Sequence, residues 1–305
     1  MNSIKKMMLS GALGCLISGM AYADGSSPQP VKPYWQDIQV VAVNKEKPRS
    51  SFMSYADRET ALTSRFEKSP YYSLLNGTWK FFFVDSYKDL PQNITDPSVN
   101  TSSWDDITVP GNWEVQGHGV AIYTNHGYEF KPRNPQPPLL PEANPVGVYR
   151  RDIEIPANWD NRDIYLHIGG AKSGLYVYLN GKEVGYSEDS KNPAEFLINK
   201  YLQPGKNVLT LKIFRWSTGS YLECQDFWRM SGIERDVFLW SQPKASIQDF
   251  RVVSTLDDTY TNGIFKLAVD LKNHTQETKN LNVGYELLDA KGNLVASEAN
   301  DIWAV

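Results

Sequence analysis

The 305-residue sequence has only two cysteines, Cys15 and Cys224, and four histidines. Cys15 falls inside an N-terminal leader, so the mature chain keeps Cys224 alone and an intrachain disulfide is excluded. A hydrophobic content of 41% supplies enough apolar mass for a core without such staples. There is no block of Lys and Arg interleaved with aromatics, and the net charge is −4; both argue against a nucleic-acid partner. No apolar run in the body of the chain reaches the ~20 residues of a membrane span, so no transmembrane segment is expected in the mature chain. No Gly-x-Ser-x-Gly elbow accompanies His118, His126, His167 or His274, and no two of them sit at metal-ligand spacing with Cys or carboxylate. Gly169-Gly170 is not a phosphate loop, because no Lys-Ser/Thr follows it.

What the sequence does have is aromatics: 9 Trp, 17 Tyr and 12 Phe, punctuated by 21 Gly and 18 Pro. That composition favours β architecture. It also suits sugar binding, since the C–H face of a pyranose lies well on an aromatic ring; for any single ring, plain core packing is the simpler account. The N-terminus carries Lys5 and Lys6, an apolar stretch over 7–20, and Ala21-Tyr22-Ala23 before polar Asp24. This is the pattern of a signal peptide over residues 1–23, and it predicts an exported chain. Export without disulfides points to the bacterial periplasm. An alternative reads Leu13-Gly14-Cys15 as a lipobox with a lipid anchor on Cys15. Ala12 stands where a larger aliphatic is usual and the apolar run continues past Cys15, which favours cleavage after Ala23.

Residues 24–68 form a polar, Pro-containing extended segment, with one short strand over 38–44 and one short helix within 57–66. Residues 69–241 are patterned as β. Asn180-Gly181 between two alternating runs is a two-residue hairpin turn, because both positions tolerate φ > 0. Leu209, Leu211 and Ile213 share one strand face. The Pro-rich stretch 131–145 cannot be helical. The expectation is an all-β jelly-roll sandwich. Residues 244–305 alternate over four further strands and fit the beginning of an immunoglobulin-like sandwich, which needs ~100 residues. The stretch from 244 through 305 is too short to close one, so the last domain is expected to be truncated.

Two acid pairs are candidates for chemistry: Glu223 with Asp226 on an aromatic loop, and Glu188 with Asp189. Catalytic carboxylates flank a scissile bond and usually come from different strands, so two acids three residues apart are poor candidates. The loop 221–228 is better suited to binding. Carboxylates accept sugar hydroxyls, and Tyr221, Phe227 and Trp228 would hold a ring plane. The structural alternative is an ion pair from Asp226 or Glu223 to Arg229 or Arg235.

Several segments resemble the family 2 glycoside hydrolases, and among them the β-galactosidases. They are Leu75-Asn76-Gly77-Thr78-Trp79; Pro110-Gly111-Asn112-Trp113-Glu114; Ile122-Tyr123-Thr124-Asn125; Asn144-Pro145-Val146-Gly147-Val148-Tyr149-Arg150; Gly185-Tyr186-Ser187-Glu188-Asp189-Ser190; and Arg215-Trp216-Ser217 running on through Gln225-Asp226-Phe227-Trp228-Arg229. They occur in family order. The resemblance implies a sugar-binding jelly roll, an immunoglobulin-like domain and then a TIM barrel, absent from this chain, that carries the two glutamates of a retaining mechanism on β-galactosides. It implies that Asn125 and Asp226 are substrate-binding residues reaching the barrel's site, and that Asp226 is a sodium ligand in the full-length enzyme. Mg2+ and Na+ are implied as cofactors, with most ligands beyond residue 305. Trp113, Trp216, Trp228 and Arg229 fall in the same motifs, where packing explains them as well as ligand contact does. Cys224 stands where relatives often carry an acid, so no role is carried onto it. No catalytic residue is expected in this chain, which alone should be inactive. The implied partners are a β-galactoside, the missing C-terminal portion and a second subunit in a homo-oligomer joined through residues 24–68. A stand-alone carbohydrate-binding module, or a β-glucuronidase or β-mannosidase of the same family, is the alternative.

Overall fold

The computed structural model describes residues 32–125, 127–130, 134–223 and 226–304. The expected signal peptide over residues 1–23, with Cys15, lies outside the described residues, as do Cys224, His126 and residues 131–133. Residues 33–305 group as one unit.

Two antiparallel sheets face each other. The larger runs in the order Ala42–Val43, Lys182–Ser187, Gly174–Leu179, Lys206–Phe214, Val146–Glu154, Gly77–Val84, Asp105–Val109. The smaller runs Ala194–Leu197, Arg162–Ile168, Val237–Pro243, Tyr72–Leu74. Strand alternation fills the space between them. Leu209, Leu211 and Ile213 all point into the shared core, opposite Leu166, Ile168 and Leu239 from the other sheet. The Asn180-Gly181 turn is as its sequence requires: Leu179 pairs with Lys182, and the two loop residues take φ of 53° and 77°. The all-β sandwich expected from the aromatic, turn-punctuated sequence is therefore present.

The N-terminal segment does more than link. The Tyr34–Gln36 turn inserts Trp35, 1% exposed, onto the outer face of the large sheet, where it stacks on Phe214 at 4.9 Å. Further along, Met53 and Phe52 cover the outer face of the small sheet around Trp240. The strand expected over 38–44 shrinks to Ala42–Val43, an edge pairing with Tyr186 and Ser187. The helix expected within 57–66 is Arg58–Leu62, capped by Asp57, whose carboxylate accepts from the Thr60 amide at 2.8 Å.

Gly185 makes this edge work. A Cβ there would stand 2.3 Å from the Val43 carbonyl oxygen and 2.7 Å from the Phe196 ring. Gly185→Ala should cost about 1–3 kcal/mol through overpacking and loosen the N-terminal strand. Thermal melts together with limited proteolysis within 33–45 check this; an unchanged melting temperature would count against it.

Beyond residue 244, Ala245–Leu256 pairs with Gly263–Asn273, and Lys279–Leu288 pairs with Leu294–Ala304. These are two separate hairpins, touching through Phe265 and Tyr285 at 5.3 Å. Val252, Val253, Leu294 and Val295 remain exposed on them.

The first hairpin is tied to the sandwich by buried charge. Asp163 accepts from Lys272 at 3.1 Å and meets His274 Nδ1 at 2.7 Å. Beside this cluster, Glu195 takes a two-pronged contact from Arg49 at 2.8 and 2.9 Å, the Trp240 indole at 3.0 Å and His167 Nδ1 at 2.8 Å. Burial pushes the Glu195 carboxyl up, but the His167 hydrogen bond and the Arg49 charge outweigh it, and the group ends below its ordinary value. A depressed carboxyl stabilises the fold fully above its unfolded pKa and loses that contribution as pH falls through the folded value. Glu195→Gln should therefore lower the melting temperature at neutral pH and flatten its decline toward acid. Parallel pH–melting curves for the two proteins would contradict this.

Candidate functional site

The two residues singled out for binding lie far apart in sequence. The fold brings them to one end of a short ribbon. Ile122–Thr124 pairs antiparallel with Phe227–Arg229, placing Thr124 opposite Phe227 and Tyr123 opposite Trp228. Asn125 follows the last residue of one strand and Asp226 precedes the first residue of the other, so both lie at the same end of the ribbon, and both are exposed.

The ribbon stands on a buried scaffold. Arg229, 1% exposed, donates to the Thr124 carbonyl at 3.2 Å and faces Glu129 at 3.8 Å. Glu129 also accepts from the Trp216 indole at 3.0 Å. Arg215 clamps both sides, donating to the Val120 carbonyl at 2.9 Å and the Arg229 carbonyl at 3.1 Å. Its other nitrogen faces Glu114 at 3.8 Å, and Glu114 accepts from the Ser231 amide at 2.9 and 3.0 Å. Burial raises the Glu114 carboxyl and lowers the Arg215 guanidinium, as expected where each charge has left water.

The adjoining loop is held just as firmly. Ser217 caps the Thr218–Tyr221 turn, and its hydroxyl also meets Ser173 at 2.6 Å. The Tyr221 hydroxyl donates to the Leu139 carbonyl, while its ring packs edge-on against Tyr128 and Phe130.

These contacts decide between the readings of the acids. Glu223 accepts from the amide and hydroxyl of Ser190 at 2.8 and 2.5 Å; burial raises its carboxyl against those bonds. Glu188, 4% exposed, accepts from Thr218 at 2.8 Å and the Gly219 amide at 3.2 Å. Asp189 faces Lys45 at 3.9 Å. Glu223 and Glu188 thus tie the 188–190 loop and the 217–223 loop to each other, and Asp189 pairs with the N-terminal segment. The ion pair weighed between the acids of loop 221–228 and Arg229 or Arg235 is replaced. Arg229 faces Glu129, and Arg235 donates to the Lys191 carbonyl at 2.7 Å. Asp226 is exposed at the ribbon end. Of the motif tryptophans, Trp113 is fully buried and Trp216 nearly so, whereas Trp228 is half exposed. Arg215, Glu114 and Glu129 escaped notice as site residues. Glu114 and Arg215 sit inside the resembling motifs, and that was the one available signal.

Residues 72–243 match the family described as glycosyl hydrolases family 2, sugar binding domain. This chain belongs to glycosyl hydrolase family 2. The matched span contains both strands of the ribbon and all of its buried support. The chain is 39% identical over 262 residues to a β-galactosidase of Priestia megaterium, covering 85% of this chain and 25% of that protein. It is 36% identical to a β-galactosidase of Psychromonas ingrahamii, covering 84% of this chain and 24% of the relative. The chain thus spans about a quarter of the length of the curated relatives it matches. Among solved structures it is similar to a Bacteroides uniformis β-glucuronidase, with a TM-score of 0.61 and 21% identity over 76% of this chain and 26% of the other. A β-glycosidase from Bacteroides vulgatus gives a TM-score of 0.57 at 22% identity, covering 76% of this chain and 28% of the other. These two likenesses concern the fold.

Proposed function

We propose that this chain is the sugar-recognising N-terminal part of a retaining β-galactosidase, and that it contributes substrate-binding residues rather than the reacting carboxylates. The observation that supports the reading is the pairing of Ile122–Thr124 with Phe227–Arg229, which brings the exposed Asn125 and Asp226 to the same end of the ribbon. Asn offers a donor and an acceptor to a hydroxyl, and Asp offers two acceptor oxygens. The β-galactosidase relatives at 36% and 39% identity support galactose as the sugar.

In a retaining mechanism two carboxyl groups stand ~5–5.5 Å apart, one as acid/base and one as nucleophile. We assign both to the portion of the enzyme that corresponds to the relatives' greater length. Asp226 would give one hard oxygen to a sodium ion. Such ions take several oxygen ligands. We place the remaining sodium ligands and most of those of Mg2+ in the same further portion of the enzyme as the reacting carboxylates.

The test is an assay of the gene's product purified from its own cells against nitrophenyl β-galactoside, β-glucuronide and β-mannoside. Preference for the galactoside by at least about 100-fold, some 2.7 kcal/mol of transition-state discrimination, is the expected result. Preference for the glucuronide or mannoside overturns it. The 305-residue chain by itself should show no turnover of the galactoside, and clear turnover would mean that the catalytic groups lie within it.

A further inference from the structure

Glu188 and Glu223 belong to two different loops, and each grips the other's. Glu223 receives the Ser190 amide on one carboxylate oxygen at 2.8 Å and the Ser190 hydroxyl on the other at 2.5 Å. Glu188 answers from the opposite loop. Its oxygens accept from the Thr218 hydroxyl at 2.8 and 3.1 Å, and one of them also from the Gly219 amide at 3.2 Å. A carboxylate that uses both oxygens on one partner fixes direction as well as distance. A Cβ on Gly219 would stand 3.0 Å from the Glu188 carbonyl oxygen, so the two loops touch.

This clasp sits at one end of the large sheet. Residues 188–190 leave the strand Lys182–Ser187, residues 215–223 leave the strand Lys206–Phe214, and the strand Gly174–Leu179 begins between them. Leu175 pairs with Ser187 and Gly174 with Phe214, which puts the three ends side by side. The Ser173 hydroxyl meets those of Ser217 at 2.6 Å and Ser220 at 3.0 Å, and buried Tyr186 donates to Glu188 at 3.2 Å. The Thr218–Tyr221 turn already has a capping box in Ser217 and Ser220, so the acids are not needed to close it. Withdrawing a carboxylate from water is costly unless it is hydrogen-bonded, and here two such groups are used to join one loop to another.

The loop that Glu223 ends leads into the ribbon. Three residues separate Glu223 from Phe227, and Asp226 is the last of them. The far end of that span is fixed where Phe227 pairs with Thr124, and the near end is fixed by the clasp. With a step of about 3.8 Å between consecutive Cα atoms, so short a span held at both ends has little freedom. We infer that Glu223 is a positioning residue: gripped by Ser190, and with its loop held from the other side by Glu188, it sets the place of Asp226 without touching the sugar. This rests on the reading above, in which Asp226 binds the substrate, and adds to it the buried acid that holds Asp226 in place.

A double-mutant cycle in the enzyme that carries this chain tests it, with kcat/KM measured on the nitrophenyl glycoside that the enzyme prefers. A misplacement of about 1 Å can cost up to about 100-fold in rate, so Glu223→Ala, which frees one end of the span, should lower kcat/KM by about 10-fold. Once Asp226 is alanine there is nothing left to place. In that background Glu223→Ala should cost no more than about twofold, the spread expected of sites that do not interact. Glu223→Gln keeps the shape and an oxygen for the Ser190 amide, and should recover most of the activity. Should Glu223→Ala fail to fold, Glu223→Asp takes its place. It keeps the charge, is one methylene too short for both Ser190 contacts, and should show the same dependence on Asp226. Equal losses in the two backgrounds would make Glu223 a support of the fold alone and overturn the inference, as would a Glu223→Ala enzyme as active as the wild type. An Asp226→Ala enzyme with unchanged kcat/KM would end both the inference and the site it rests on. Preference for a glucuronide, with the dependence on Asp226 intact, would sink the galactosidase reading and uphold the positioning role.

Discussion

Asp226→Ala should lower kcat/KM toward a β-galactoside by about 10- to 100-fold in the enzyme that carries this chain. The size follows from chemistry. A hydrogen bond to a charged acceptor contributes about 1.5–3 kcal/mol, and each 1.36 kcal/mol is a factor of about ten in rate. Asp226 is exposed at the end of the ribbon, so its loss leaves the fold alone and the melting temperature should hold. That separation is the useful part of the experiment, because activity falls while stability does not. Asp226→Asn keeps an acceptor and removes the charge, and should fall between the two. If Asp226 also holds a sodium ion, the wild type should gain activity with added Na+ and Asp226→Ala should not. An unchanged kcat/KM would remove Asp226 from the site. A fall matched by an equal fall in stability would make it a structural residue.

The sandwich was legible in the sequence wherever a local rule suffices. Asn180-Gly181 announces its turn through two positions that accept φ > 0, and Leu209, Leu211 and Ile213 announce a buried face by alternation alone. Trp35 and Met53 were not legible as covers for the outer faces of the sheets. Each sits in a short irregular stretch with no period, and its partners lie far away in sequence. The ribbon was half legible. Asn125 and Asp226 stood out through motif resemblance, but their place at one end of the ribbon depends on the pairing of two three-residue strands, too short to show periodicity. Glu114, Glu188 and Arg215 were the hardest. In a sequence a charged residue looks like surface, and only the assembled fold shows that these three support loops from within.

Arg215 is where the fold and the site depend on each other most, and Arg215→Met should show it. Removing one partner of a buried pair strands the other, at a cost of about 3–5 kcal/mol. In a unit of this size that lowers the melting temperature by roughly 5–10 °C. The stranded group would be Glu114, whose side chain has no solvent exposure. The ribbon would also lose the clamp that joins Val120 to Arg229, so affinity for a galactoside should fall with stability, the reverse of the Asp226→Ala pattern. Glu114→Gln removes the stranded charge while keeping an acceptor for the Ser231 amide. The double variant should therefore be more stable than the sum of the two single losses allows, by about 1–2 kcal/mol. Acidity gives an independent check. Burial holds the Glu114 carboxyl above its ordinary value, so its ionised form is a cost at neutral pH that is relieved as pH falls through the folded pKa. Without Arg215 that pKa rises further. The deficit of Arg215→Met should then be largest near neutral pH and shrink toward acid, whereas the deficit of Arg215→Met in the Glu114→Gln background should stay flat. Additive single losses, or a deficit that does not move with pH, would show that the 3.8 Å contact between these two charges does not hold the ribbon.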